Sequence, residues 1–276
     1  MTLLEAMNLE YSLSKRWLMT SLTLTSVLYV CLIATALVSG PWAKWIAFTA
    51  FIDQALITGA RLRSGTHYSL GESVRRPAML ENGLGARLSP IQVAKIAAKH
   101  GVTFPGDPIT SKNYYDSTAE AGPERLLEIT QQSAFWTGEL AERMASLLKG
   151  GLAVVFIVLM IAVLAALQTG ITGTRGETLA KIGMATISVW CTGELFVLFR
   201  RYDLLARSIQ RVLVDSELAM SRSWIGCESA VILGEYNCSL ASAPVIPDFI
   251  YKLNRTRLNL AWAARNAQGT SRQEEH

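Results

Sequence analysis

The feature that most limits what this chain can fold into is an uncharged run, residues 151–168 (GLAVVFIVLMIAVLAALQ), followed by a second apolar run, 182–199 (IGMATISVWCTGELFVLF). At about 18 residues, each run matches the length that crosses a ~30 Å hydrocarbon core. A polar turn holding Gly170, Gly173, Gly176, Arg175, Glu177 and Lys181 joins them. Backbone polar groups in lipid must be satisfied within the segment, so both runs are expected to be α-helices forming a membrane hairpin. The competing reading is a buried hairpin of a large soluble domain, whose core seldom holds such long uncharged runs.

A matching pair lies near the start of the chain. Residues 17–40 carry no charge, Pro41 breaks the run, and 42–59 form the next one. Trp17, Trp42 and Trp45 fall at run ends, where indoles favour the headgroup zone. Ala34-Thr35-Ala36 has the form of a signal-peptide cleavage site. The acids Glu5 and Glu10 in the lead and the length of the run argue against one. Half of all residues are hydrophobic and mean hydropathy is +0.27, yet 17% are charged, so apolar and polar parts must be segregated along the chain.

That segregation gives six parts: a lead (1–16), hairpin 1 (17–60), a helical interval (61–149), hairpin 2 (150–199), C-terminal helices (200–267) and a tail (268–276) expected to be disordered. The expected fold class is an all-α membrane protein, two hairpins with a helical cytoplasmic region. Lys15, Arg16, Arg61, Arg63, Arg143, Lys149, Arg200 and Arg201 flank the runs on one side, against Lys44, Arg175 and Lys181 on the other. The positive-inside bias therefore places both termini and the 61–149 interval in the cytoplasm of a multi-pass protein.

Within that interval, Ser89-Pro90 signals a helix start, with a stop expected at Gly101. Residues 102–122 read as a long loop, and Pro123 begins a helix expected to run on into the third apolar run through Gly150-Gly151, a candidate hinge. The fourth run is expected to leave the membrane as an unbroken helix to about residue 222, followed by a less regular stretch, 223–243, and a last helix from Asp248.

The net charge of +4, with basic residues beside the apolar runs, gives no reason to expect direct DNA binding. Cys31 and Cys191 lie inside apolar runs, and Cys227 and Cys238 lack CxxC spacing, so no disulfide framework or zinc site is indicated. None of His67, His100 and His276 has a metal-ligand partner at the right spacing. No G-x-S-x-G or P-loop pattern is present, and the GTHYS stretch 65–69 has no nucleophile context. Neither an enzyme nor a bound cofactor or metal is expected.

Two acids lie within the runs, Asp53 and Glu194. Ionisable groups at such depth are costly and usually face a bundle interior or water. Asp53 stands ~12 Å before Arg61 and Glu194 ~9 Å before Arg200 along a helix. Their similar depth would allow a carboxylate ring favouring cations in an oligomer. Alternatively, Glu194 snorkels toward Arg200 and Asp53 is protonated or bonded to a threonine.

Residues 113–140 (NYYDSTAEAGPERLLEITQQSAFWTGEL) join a tyrosine pair, a polar spacer and a helix with a Gln pair and a Trp; residues 243–255 read APVIPDFIYKLNR. With the two hairpins, these resemble the four-transmembrane pore-forming effectors of bacterial nucleotide-signalling conflict systems, over about residues 14–266. The chain departs from that pattern at Tyr114-Tyr115-Asp116, where Trp-Tyr-Pro is expected, and at Thr130-Gln131-Gln132, where the family has a Cys-Gln-Arg-rich helix. The resemblance implies a homo-oligomeric effector in the bacterial inner membrane, which senses a cyclic nucleotide or oligonucleotide and breaches the bilayer in antiviral defence. Arg75, Arg76, Lys112, Tyr114, Tyr115, Lys252 and Arg255 (with Arg257 beside it) are then candidates to hold phosphates and bases. A membrane scaffold or sensor subunit without a pore is the competing class.

Overall fold

A computed structural model describes the chain over residues 3–37, 41–101, 115–169, 175–221 and 225–274, and its side chains at most of these positions but not over 162–191 or 266–274. The described residues form seven helices and no strand: α1 (Leu3–Leu37), α2 (Pro41–Leu84), α3 (Pro90–His100), α4 (Pro123–Thr169), α5 (Arg175–Met220), α6 (Ile225–Ala241) and α7 (Asp248–Glu274). The all-α expectation holds.

Local chemistry explains the helix ends. Ser89 accepts from the Gln92 amide while the Gln92 side chain accepts from the Ser89 amide, a reciprocal capping box, and Gly101 closes α3 at φ 62° in the left-handed region. Pro41, Pro90 and Pro123 each open a helix, where a missing amide hydrogen costs nothing. Two expectations are corrected. The stretch 223–243 is not irregular, since α6 occupies most of it. Its helix is fixed by a buried stripe, Ser229, Ile232, Leu233, Tyr236 and Leu240, at three- and four-residue spacing. The tail is not structureless either, because α7 runs to Glu274.

The chain divides into two compact units, with α1, α2, α4 and α5 contributing residues to both. Unit 1 comprises residues 1–12, 67–144 and 201–276. Its interior is filled by large apolar side chains, among them Leu126, Leu127, Ile129, Met144, Ile209 and Leu258. Close approach is secured by small residues. A Cβ at Gly83 would stand 2.9 Å from the Leu126 Cα, and one at Gly138 3.0 Å from an Ile209 methyl. Residues 115–122 are strapped to the N-terminal end of α4. Arg125 donates to the carbonyls of Ser117 and Ala119 and to Asn82, and Asp116 and Gln132 exchange two hydrogen bonds.

Unit 2 comprises residues 13–66 and 145–200. Here α1 and α2 run antiparallel. Ser14, Leu18, Ser21, Thr25 and Leu28 are buried on α1, as are Ala50, Asp53, Ile57, Ala60 and Ser64 on α2. Both sets follow a three–four spacing that keeps one seam facing the partner helix. At one end Ser14 and Ser64 each donate to the other's carbonyl, and Arg63 lies 4.8 Å over the Trp17 ring. Toward the other end Leu28 packs with Ala50 and Ile57. Half of the seam residues are polar, interleaved with Leu18, Leu28 and Ile57, whereas many large apolar side chains point out: Trp42 is 70% exposed and Phe51 66%, with Trp45, Phe48, Leu56 and Phe156 similar.

Among the described residues no helix is long and apolar enough to cross a membrane. Much of the third and fourth apolar runs falls within 162–191, outside the described side chains, as do Cys191 and the polar turn between the runs.

Candidate functional site

Two sets of polar groups converge in unit 1. The first centres on Arg75, a buried residue on α2. It lies against both Glu72 oxygens, with Nε at 3.1 Å from each and Nη2 at 2.9 Å from Oε2. It also donates to Asn237 on α6 at 2.8 Å and lies 4.9 Å over the Tyr236 ring. Burial works against the Arg75 charge, but Tyr236 and the Glu72 carboxylate outweigh it, so the guanidinium pKa is raised. Tyr11 on α1 donates to Glu72 at 2.5 Å, and burial first and Glu72 second push its phenol well above the usual range. The same two causes act on Tyr68, whose ring is tilted against Tyr11 at 6.0 Å. Arg75 is thus committed to a buried internal network that ties α1, α2 and α6, and no phosphate is needed to satisfy it.

The other nucleotide candidates do not gather around it. Arg76 reaches the Asn237 carbonyl at 3.5 Å, and its buried Nε has no partner. Tyr115 is half-buried beside Asp116, while Lys112 and Tyr114 lie outside the described residues. Lys252 and Arg255 are exposed on α7. Arg257, also exposed, pairs with Glu139 at 2.9 Å. What does converge beside α7 is aromatic. Trp136 meets Tyr251 at 5.8 Å, Phe135 meets Trp262 at 5.3 Å, and Arg265 lies 5.8 Å over Phe135. The departures from the family pattern also meet each other, since Asp116 and Gln132 are bonded.

The second set was not visible in the sequence. Glu10 on α1, itself buried, accepts from both His67 of α2 (Nδ1–Oε2 2.7 Å) and His100 of α3 (Nδ1–Oε1 3.0 Å). The residues are 57 and 90 positions apart. The one available signal was an acid at an inward position of α1, flanked by Met7 and Ser14. No group of three His, Cys, Asp or Glu among the described residues is arranged to hold a metal.

In unit 2 the two intramembrane candidates part company. Glu194 is paired with Arg61 of α2. Asp53 is buried in the α1–α2 seam, with Oδ2 lacking any partner, so the alternative of a threonine bond at that oxygen is not realised. Tyr29 and Thr192 join through their hydroxyls at 3.0 Å. At the candidate hinge, α4 runs unbroken, and a Cβ at Gly150 or Gly151 would meet nothing within 4 Å. Among the described residues, no neighbouring helix packs into the glycine pair. No protein family, no curated protein and no solved structure matches this chain.

Proposed function

We propose that the protein is a membrane effector of antiviral defence: unit 2 inserts in the bacterial inner membrane, unit 1 senses a nucleotide-type signal in the cytoplasm, and homo-oligomers permeabilise the bilayer. One observation carries the membrane part. Unit 2 buries serines, a threonine and Asp53 among the apolar residues of its seam, and it turns tryptophans and phenylalanines outward. Large exposed apolar surface of this kind marks a membrane or protein contact. Helix association in lipid relies on small and hydroxyl-bearing residues at the seam, because apolar burial gains nothing there.

The pore and signal parts rest on the resemblance stated above and on the chemistry left available. Asp53 keeps an unpartnered carboxylate oxygen in the seam, whereas Glu194 is neutralised by Arg61, so a cation-selective path would be lined by Asp53. For the ligand, exposed Lys252 and Arg255 beside the Trp136–Tyr251 pair offer cations and rings to phosphates and bases, while Arg75 does not. The test is dye efflux from vesicles holding the pure full chain, with and without a panel of cyclic di- and trinucleotides. Efflux raised by one nucleotide supports the proposal. A chain that inserts yet stays tight under every nucleotide is instead the scaffold or sensor subunit.

A further inference from the structure

We infer that α7 of one copy docks in a groove between α5 and α6 of the next, a contact that joins copies of this chain head to tail. The inference rests on the homo-oligomer proposed above. The groove belongs to unit 1. Leu218 of α5 with Val231 and Ile232 of α6 form its apolar floor, and Asp215, Glu228 and Glu235 stand around it. Leu218 and Val231 are exposed, and no cation among the described residues lines the groove. No ion pair among the described residues engages the three acids. An apolar floor rimmed by acids is complementary to an occupant that is apolar and basic.

Helix α7 has that chemistry. From Phe249 to Arg265 it carries Lys252, Arg255, Arg257 and Arg265 and no acid, whereas α6 carries Glu228 and Glu235 and no cation. Leu253 is 78% exposed and Leu260 69%, and no large apolar side chain among the described residues is more exposed than Leu253. Seven residues apart, the two stand two turns along one face of the helix. The buried side chains of Ile250 and Leu258 fix another face of α7 in its own unit. Arg257, one turn past Leu253, pairs with Glu139 at an exposed site, a bond of little worth that another acid can replace. Arg255, one turn past Tyr251, stays on the aromatic side offered to nucleotide above.

The α7 that fills the groove is not the chain's own. Arg265 ties the end of α7 to Glu217 of α5 in the same chain. Two residues from Asp215, Glu217 points to the opposite side of α5, so the chain's own α7 lies across that helix from the groove. Groove and leucine face are different surfaces, and each copy offers one to each neighbour. Contacts of this heterologous kind propagate, and they close into a ring where the rotation allows.

Crosslinking of the full chain in mild detergent tests this, because Cys227 already lines the groove and is exposed. Alanine replaces Cys31, Cys191 and Cys238, and either Leu253→Cys or Leu260→Cys is added. A bismaleimide spanning ~12 Å, the length of α6 from Cys227 to Glu235 at the helical rise, reaches either position whichever way α7 lies in the groove. Chains with both cysteines should give a ladder of dimers, trimers and larger species, and chains with only one should give no ladder. Val231→Asp, at an exposed position, should weaken association about tenfold, the scale of one lost buried side chain, and remove the ladder at the same chain concentration. Sedimentation of the uncrosslinked chain separates the two ways to fail. Oligomers that give no ladder, or a ladder that survives Val231→Asp, overturn this contact and leave the homo-oligomer standing. A monomer that gives no ladder overturns both.

Discussion

Unit 1 and unit 2 are both made of long helices, yet they differ in how much polar surface they bury and how much large apolar surface they turn outward. Unit 1 hides Leu126, Ile209 and Met144 and gives each interior charge a partner, as Glu72 does for Arg75. Unit 2 hides Ser14, Ser21, Thr25 and Ser64 and turns Trp42, Phe48 and Phe51 outward. We attribute this contrast to two solvents, water for unit 1 and, as proposed above, lipid for unit 2. In water, apolar burial drives packing; in lipid, it drives nothing and small polar residues hold helices together.

The sharpest way to break that contrast is to truncate one large apolar residue in each unit. Ile209→Ala should cost unit 1 about 2–5 kcal/mol in denaturant unfolding, through lost burial and a cavity. Phe51→Ala should leave the fold of unit 2 in place and weaken partitioning into vesicles. Equal losses of fold stability at both positions would mean that the units share one kind of core.

Glycines give the next largest effect. Gly83→Ala should cost roughly 1–3 kcal/mol, because the new methyl meets the Leu126 backbone. Gly150→Ala with Gly151→Ala should instead stabilise α4 by up to ~1 kcal/mol each, since nothing stands in the way. If the pair serves as a hinge, this double variant inserts normally but changes vesicle efflux; unchanged efflux removes the hinge.

A smaller contrast concerns pH. Burial raises the Tyr11, Tyr68 and Tyr202 phenols of unit 1 above the ordinary tyrosine value. Their stabilisation is complete below about pH 10, where unfolded tyrosine titrates, and is lost as pH rises further because the unfolded chain releases those protons first. Alkaline melts should show unit 1 weakening there. Tyr11→Phe should reduce the slope, and a slope unchanged in that variant would discount the phenol network. Smallest of all, Asp53→Asn should leave folding nearly unaltered and lower the cation preference of any conductance, with Glu194→Gln, already paired with Arg61, changing selectivity less.

Helix starts were legible because their chemistry is local: Ser89-Pro90, Pro123 and Asp248 all mark helix starts or caps. The continuity of α4 and α5 was legible too, since no breaker interrupts either apart from tolerated glycines. Helix α6 was not, because Gly226, Gly234 and Asn237 weaken its intrinsic preference and packing of Ile232, Tyr236 and Leu240 fixes it instead. The sites were harder. Arg75 read as a candidate phosphate ligand until Glu72, one helical turn earlier, and Asn237, far along the chain, were brought to it. Nothing in sequence spacing joins Glu10 to His67 and His100, or Arg61 to Glu194, because those contacts are made between helices. Polar residues in the α1 seam also hid its regular spacing, which apolar patterning alone does not reveal.

The central claim is that the outward face of unit 2 lies in lipid and its seam does not, and nitroxide accessibility tests it most directly. Labels would be placed through Phe51→Cys, Leu56→Cys and Ser21→Cys in a full chain lacking its native cysteines, reconstituted in vesicles. The account predicts that the labels at 51 and 56 collide readily with oxygen and barely with a water-soluble nickel chelate, while the label at 21 meets neither. Free access of the chelate to 51 and 56 would place that face in water and contradict the account.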